Sequence, residues 1–545
     1  MKKANPKNVS EIISSSLKQN PDKLALVDLI NQSEKYTYRQ LNQGVNSLAR
    51  VLHSLGIRKG THCSIFSFNC PKWIIADLAI QKIMGVCVPI YWKLSVKKVE
   101  HLLKTTKPKV IFVGDHYLYK IIQKCDSRYL PKHIIMFNGD SLMLNKQVKV
   151  YSWKKFMSLP KKNVTIVSRN NALSRIVFTS GSTGLPKGVL LSHENILSNL
   201  EELKKVYNPT SKDSIVSYLP LNHMFGLVGE VYLPLYCGGV VYFAHNPQQA
   251  FHYLKKIKPT HLMTVPFVLE KLYKGVIKKV SLFGIDEQIL NLTSRKPPWF
   301  TLNVIKFLGK MVSHRLGGNL KYIVSAGAHL SKEVELFFHY AGLPLYTAYG
   351  MTEASPVIAC NVPGHHKLFS VGVPLDKIKI SKKGVVAVKG KNITSGYFKD
   401  KIHTSKALHN GWLSTGDLGH VDKFGHLYIL ERSDDIIVLS KGENINPLLI
   451  EEKVEEEIAE VTKSIIYGNH KPSLVSLLFV SGKINSKVEE KIKDKIHLIN
   501  TYLPHYERII NFKILSEKYV FTPGAMKISR KKLINQFKGE LDKLY

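Results

Sequence analysis

The sequence predicts an α/β protein with a large, multi-subdomain N-terminal body of mostly parallel sheets packed by helices, followed by a small α+β domain. Three observations predict it. The chain has 545 residues, too many for one core at a prior of about 150 residues per domain. Strand signals alternate with helical signals over the first 170 residues and resume beyond residue 188, the pattern of βαβ units in a mainly parallel sheet. From Gly384 the texture changes to short strands with turns, and the polar stretch Arg432-Ser433-Asp434-Asp435 reads as a boundary. The expected domains are residues 1–432 and 433–545.

Each element has a local reason. Tyr38 to Leu41 opens an amphipathic stretch with Leu41, Val45, Leu48 and Leu52 on one face. Ser64-Ile65-Phe66 reads as a strand, Trp73 to Ile83 as a helix, and Val110 to Val113 as a buried strand. Further strands are expected at Ile176 to Phe178, Val240 to Phe243, Leu262 to Val265, Tyr322 to Ser325, Gly384 to Val388 and His426 to Leu430. Beyond the boundary, Asn446 and Pro447 make a helix start, and Ile450, Val454 and Ile458 form its apolar stripe. Glutamates 451, 452 and 455–457 are expected on its exposed face. Ser464 to Tyr467, Leu474 to Val480 and Ile509 to Ile514 read as strands.

The composition, 44% hydrophobic and 10% aromatic, is that of a globular chain. A formal net charge of +37 either favours anionic partners, such as nucleotides, CoA, an acidic carrier protein, nucleic acid or an anionic membrane surface, or reflects a general lysine bias of composition. Lysines are spread along the whole length and no nucleic-acid-binding module is legible, so no specific nucleic acid partner is expected. The six cysteines, Cys63, Cys70, Cys87, Cys125, Cys237 and Cys360, lack CxxC pairs and metal-ligand spacing. They read as reduced thiols of a cytoplasmic protein. Val9 to Leu17 is broken by Ser and Glu and is no signal-peptide core. No run of eighteen apolar residues occurs, which leaves peripheral contact with a membrane as the expected limit.

Residues 179–188, Thr-Ser-Gly-Ser-Thr-Gly-Leu-Pro-Lys-Gly, carry the chemistry. The apolar run Ile176 to Phe178 delivers them, and Ser192, read as an N-cap, opens a helix with Ile196, Leu200 and Leu203 at helical spacing. Glycines let backbone approach an anion, hydroxyls and amides donate to phosphate oxygens, and Lys187 brings a mobile positive charge. A Walker A loop needs Ser or Thr after its Gly-Lys, whereas Lys187 here precedes Gly188 and Val189.

This order of residues resembles the adenylate-forming superfamily of acyl-CoA synthetases, firefly luciferase and peptide-synthetase adenylation domains. Other boxes follow in the family's order: Tyr36 to Leu41, Gly85 to Tyr91, Tyr218 to Gly226, Val324 to Leu330, Tyr346 to Glu353, Ser414 to Asp417 and Thr522 to Lys527. The resemblance implies ATP, Mg²⁺ and CoA as cofactors or co-substrates. It places Thr179, Ser180, Gly181, Ser182, Thr183, Gly184 and Lys187 on the phosphates, and Gly327 and Ala328 beside the adenine. Tyr349, with Gly350, would stack on that base, and Thr352 would donate to the α-phosphate. Thr179 and Glu353 would hold the metal. Asp417 would accept from the ribose hydroxyls, with Arg432 as a second contact. His223 would lie near the substrate carboxylate, and Asp434 would be the hinge of a mobile C-terminal domain. Lys441 to Ile445 would approach the thiol acceptor. Lys527 would neutralise charge in the adenylation transition state. The same resemblance implies a small β-barrel-like subdomain before the hinge. His329 departs from the family's usual proline.

Asn69 to Asp77, Thr264 to Phe267 and His314 to Lys321 are similar to long-chain acyl-CoA synthetases. Amino-acid-activating relatives place an Asp in the segment Leu221 to Gly226, and this chain has none. The implied reaction activates a medium- or long-chain fatty acid to acyl-AMP with release of pyrophosphate, then transfers the acyl group to CoA. The alternative is an acyl-AMP or acyl-carrier-protein ligase, with a protein-borne thiol as acceptor.

Overall fold

A computed structural model describes residues 6–31, 34–140, 148–162, 170–179, 186–282, 298–432, 437–440, 443–482, 484–517 and 530–545. The chain forms two compact units, one of residues 1–378, 388–414 and 421–427, the other of 379–387, 415–420 and 428–545.

Two large sheets build the first unit. A seven-stranded sheet runs in the order Lys149–Ser152, His133–Met136, Val110–Val113, His62–Phe66, Val86–Ile90, Leu173–Thr179 and Lys187–Ser192. Every neighbouring pair is parallel except the last. A nine-stranded sheet has a parallel centre of Leu345–Gly350, Tyr322–Ser325, His261–Thr264, Ser214–Ser217, Val240–Phe243 and Leu24–Asp28. Five short strands between Lys377 and Arg432 make a further sheet. The expected strands at Val240–Phe243 and Tyr322–Ser325 are found as read.

One strand was not legible. After the glycine-rich loop the chain returns as Lys187–Ser192, antiparallel to Leu173–Thr179, before the next helix begins. Ser192 then caps helix His193–Tyr207 reciprocally with Asn195. Lys187 therefore stands on a strand, with less backbone freedom than a loop lysine.

Helix Pro71–Lys82 is buried over almost its whole surface, as an apolar helix packed on several sides must be. It contacts strands of both large sheets. Its Asp77 is fully buried and pairs with the equally buried Arg175 (3.3 Å), while the Tyr232 hydroxyl donates to the same carboxylate. Truncating Asp77 strands a buried guanidinium. Asp77→Ala is therefore expected to destabilise the protein by about 3–5 kcal/mol, measurable as a lowered denaturant midpoint.

In the second unit, Val461–Tyr467, Leu474–Val480 and Ile509–Ser516 form a three-stranded sheet. Asn446 caps helix Pro447–Glu457, with Ile450 and Val454 buried. The glutamate face needs a correction. Glu451 is 1% exposed, pairs with Arg530 Nη1 (2.7 Å) and accepts from Ile466 N (2.7 Å). A partner far along the chain makes an inward-facing carboxylate tolerable. Among the described residues, no helix is long and apolar enough to cross a membrane.

Candidate active site

Parallel strands gather seven of the expected residues at one sheet edge. Leu345–Gly350, Tyr322–Ser325, His261–Thr264 and Ser214–Ser217 are parallel neighbours, so the loops that follow them emerge on the same side, where open α/β sheets bind ligands. Gly327 and Ala328 follow the second of these strands, and Thr352 and Glu353 follow the first. Tyr349 and Gly350 close that first strand. His223 lies in the loop after Ser214–Ser217. Gly327 takes the left-handed backbone (φ 87°), open to glycine at no steric cost. Gly350 has no alternative: a Cβ there would fall 1.9 Å from Pro356 O.

Glu353 is only 7% exposed, and a charge so buried needs a partner. Tyr397 supplies it: the phenol donates to Glu353 Oε1 at 2.8 Å. The same ring lies 5.9 Å from Lys187 Nζ, within reach of a cation–π contact. Lys187 is in turn the cross-strand partner of Thr179. Backbone bonds from Leu190 N to Gly396 O (3.0 Å) and from Phe398 N to Gly188 O (2.7 Å) hold the Tyr397 segment on that strand. Thr179, Lys187, Tyr397 and Glu353 thus form one connected group. Asp400 stands nearby; its carboxylate accepts from His403 N (3.0 Å), which with the Lys187 charge holds it below the ordinary range.

Thr179 and Glu353 offer one hydroxyl and one carboxylate. Among the described residues no cluster of three or more His, Cys, Asp or Glu side chains could cage a metal. So sparse an oxygen set fits Mg²⁺, which keeps water and phosphate oxygens as most of its ligands.

The loop that bears His223 is fixed by Glu230, fully buried in the π-helical stretch Gly226–Tyr232. Its carboxylate accepts from Ser217 Oγ (2.9 Å), Tyr218 N (3.1 Å) and Leu219 N (3.1 Å). The His223 ring stands 5.9 Å from that of Tyr91. It is open to solvent yet crowded by protein atoms, and this desolvation lowers its pKa, leaving a neutral imidazole at pH 7.

Two narrow apolar crevices, each of about 20 Å³, lie against the nine-stranded sheet: the first reaches Ser214 and His261, at the beginnings of their strands, and the second Ala348 and Pro356. Tyr207, Gly229, Leu233, Met263 and Val324 line both, so they adjoin. Each holds about one water as it stands, and a chain-like ligand enters only as side chains such as Met263 repack. Asp213, on the wall of the first, is already paired with Lys321 (2.7 Å).

Asp417 belongs to the second unit; its N–H donates to Thr415 Oγ1 (3.0 Å), and Thr415 to Val386 O (2.9 Å). Arg432 ends strand Leu427–Arg432. Ser180, Gly181, Ser182, Thr183, Gly184, Asp434, Lys441 and Lys527 lie outside the described residues. Sequence reading missed Tyr397 and Glu230.

Residues 13–398 match the AMP-binding enzyme family, and residues 434–545 match the AMP-binding enzyme C-terminal domain. The chain belongs to the AMP-binding enzyme family. This AMP-binding enzyme is 26% identical to long chain acyl-CoA synthetase 3 of Arabidopsis thaliana, over 93% of the chain and 86% of that protein. It is 28% identical to the human long-chain-fatty-acid–CoA ligase ACSBG2, over 85% of the chain and 75% of the relative. A chloroplastic long-chain-fatty-acid–[acyl-carrier-protein] ligase of Arabidopsis thaliana, AEE15, is 26% identical over 99% of the chain and 87% of its own length. Among solved structures, the anthranilate CoA ligase AuaEII bound to anthranoyl-AMP superposes with a TM-score of 0.78 at 19% identity, covering 98% of each chain. That likeness is one of fold: the mixed α/β architecture with a separate C-terminal domain.

Proposed function

We propose that this AMP-binding enzyme is an AMP-forming acid–thiol ligase that activates a medium- or long-chain fatty acid. The reading is carried by the connected group Thr179–Lys187–Tyr397–Glu353 and by an apolar crevice whose wall includes Pro356 and Val357, close after Glu353 in the chain. The first suits a nucleotide's phosphates and the second an aliphatic chain. Similarity to long-chain fatty acid ligases supports the same substrate class.

The acid's carboxylate is already nucleophilic, so the site needs no general base. It attacks the α-phosphorus of ATP, the bond to the β-phosphate oxygen breaks, and pyrophosphate leaves. Lys187 faces the phosphates, Thr352 donates to the α-phosphate, and Tyr349 stacks on the adenine, with Gly327 and Ala328 leaving room for it. Mg²⁺, held by Thr179 and Glu353, would neutralise phosphate charge. Lys527 stabilises the charge that builds on the pentacovalent phosphorus. Asp417 and Arg432 hold the ribose, and Asp434 is the pivot about which the C-terminal domain turns between the two half-reactions. A thiol then attacks the acyl carbonyl carbon, and AMP leaves. Neutral His223 lines the path of the carboxyl group.

CoA is the first candidate thiol. A carrier-protein thiol is the second, favoured by similarity to an acyl-carrier-protein ligase over 99% of the chain. Supplying each acceptor to enzyme charged with radiolabelled acyl-AMP decides between them. An amino acid substrate is disfavoured, because Leu221 to Gly226 holds no carboxylate and Asp213 is engaged by Lys321.

Gly229 offers the sharpest test of chain length. A Cβ there would sit 3.4 Å from Met263 Cγ, an ordinary contact, so alanine fits but a larger side chain closes the junction of the crevices. Gly229→Leu is expected to lower kcat/KM for long acids by about tenfold or more while sparing short ones. A uniform loss across a chain-length series would place the acyl chain elsewhere.

A further inference from the structure

Helix Trp299–Arg315 has two unlike sides. Thr301, Ile305, Leu308 and Val312 are buried in the first unit, and the helix packs against Lys332–Tyr340. Its rotation about its own axis is fixed: at Gly309 the backbones meet so closely that a Cβ would lie 2.2 Å from Ala341 O. The opposite side must therefore face outward. It carries Trp299, Phe307 and Met311, which are 76%, 63% and 48% exposed, at positions that fall on one helical face. Surface leucines or phenylalanines scattered singly need no explanation, but three large apolar side chains along one fixed helical face do.

Charge says what covers that face. Exposed Lys306 and Lys310 stand beside the apolar side chains and Arg315 ends the helix. Helix Pro266–Leu282, which packs against the same Lys332–Tyr340, also carries exposed lysines, Lys271 and Lys274. Glu270 is the only acidic residue in either helix. Aromatic and thioether side chains among long cationic ones is the composition of a helix that lies in the plane of a membrane interface. There the apolar groups enter the acyl boundary and the lysines extend to anionic headgroups.

We infer that the outward face of helix Trp299–Arg315 is a docking surface for an anionic lipid bilayer. The inference does not depend on the proposed reaction. One Lys near an anionic surface contributes modestly and the apolar side chains anchor by the area they bury, so both sets are needed.

The test is co-sedimentation of the full chain with vesicles of phosphatidylcholine alone, or mixed with phosphatidylglycerol, across a salt series. The wild type is expected to bind the mixed vesicles, more weakly as salt rises. Phe307→Ser/Met311→Ser and Lys306→Glu/Lys310→Glu should each weaken that binding by about tenfold or more, with thermal midpoints close to the wild type's because all four side chains face outward. Failure of the wild type to bind would overturn the inference. So would undiminished binding by the Phe307→Ser/Met311→Ser protein, which would reduce the contact to diffuse electrostatics of a basic chain.

Discussion

Lys527→Ala is expected to cut acyl-adenylate formation by about 10²–10³-fold, while leaving thioester formation from supplied acyl-AMP nearly intact. The split follows from where charge develops. In the first half-reaction a carboxylate approaches an already anionic α-phosphoryl group, and the crowded oxygens of the pentacovalent state need a cation held against them. In the second, a thiol attacks a carbonyl carbon and the phosphorus is a spectator. A lysine that serves the first step has no electrostatic role in the second. The assignment rests on the box Thr522 to Lys527, and Lys531 and Lys532 stand close by in sequence. Alanine at those two positions should therefore leave adenylation near the wild-type rate. Equal damage to both half-reactions by Lys527→Ala would show that the lysine supports the fold and not the transition state.

Glu353→Gln is expected to lower adenylation by about a hundredfold and to raise the Mg²⁺ concentration needed for half-maximal rate. Tyr397→Phe should move the same metal dependence by a smaller amount, roughly tenfold, because it removes one charge-assisted hydrogen bond and leaves the carboxylate in place. The direction is fixed by geometry. The phenol holds Glu353 Oε1 at 2.8 Å and so restrains the carboxylate; without it the carboxylate can rotate. Binding of Mn²⁺ to the enzyme with a non-hydrolysable ATP analogue, followed by electron paramagnetic resonance, reads the same effect without turnover. If Glu353→Gln alters metal binding and Tyr397→Phe does not, Tyr397 is merely a wall of the site. If neither does, the metal is held elsewhere.

The residues that were legible in sequence are those whose roles are set by near neighbours. Ser192 and Asn446 announce helices because a cap acts within three residues, and Leu474 to Val480 announces a buried strand by composition alone. Strand Lys187–Ser192 escaped because it begins inside a small-residue motif, where glycine and proline outweigh strand signals. Glu451 was misjudged because its helix pattern is acidic on both sides, and its partner Arg530 is distant in the chain. Tyr397 lies 44 residues from Glu353, a pairing that only the docking of one segment on another strand creates. Glu230 sits in a helical stretch whose i→i+5 winding has no clear sequence signature. The segment Thr179 to Gly188 shows the same division. Its composition reads as an anion site, whereas the Tyr397–Glu353 pair beside Lys187 came from folding.

Acid-dependent exchange of radiolabelled pyrophosphate into ATP, run across fatty, aryl and amino acids without any thiol, tests the central claim most directly. The account predicts exchange that requires Mg²⁺, is greatest with medium- or long-chain fatty acids and is absent with amino acids. No exchange with any carboxylate, in a protein shown to be folded and to bind ATP, would contradict it.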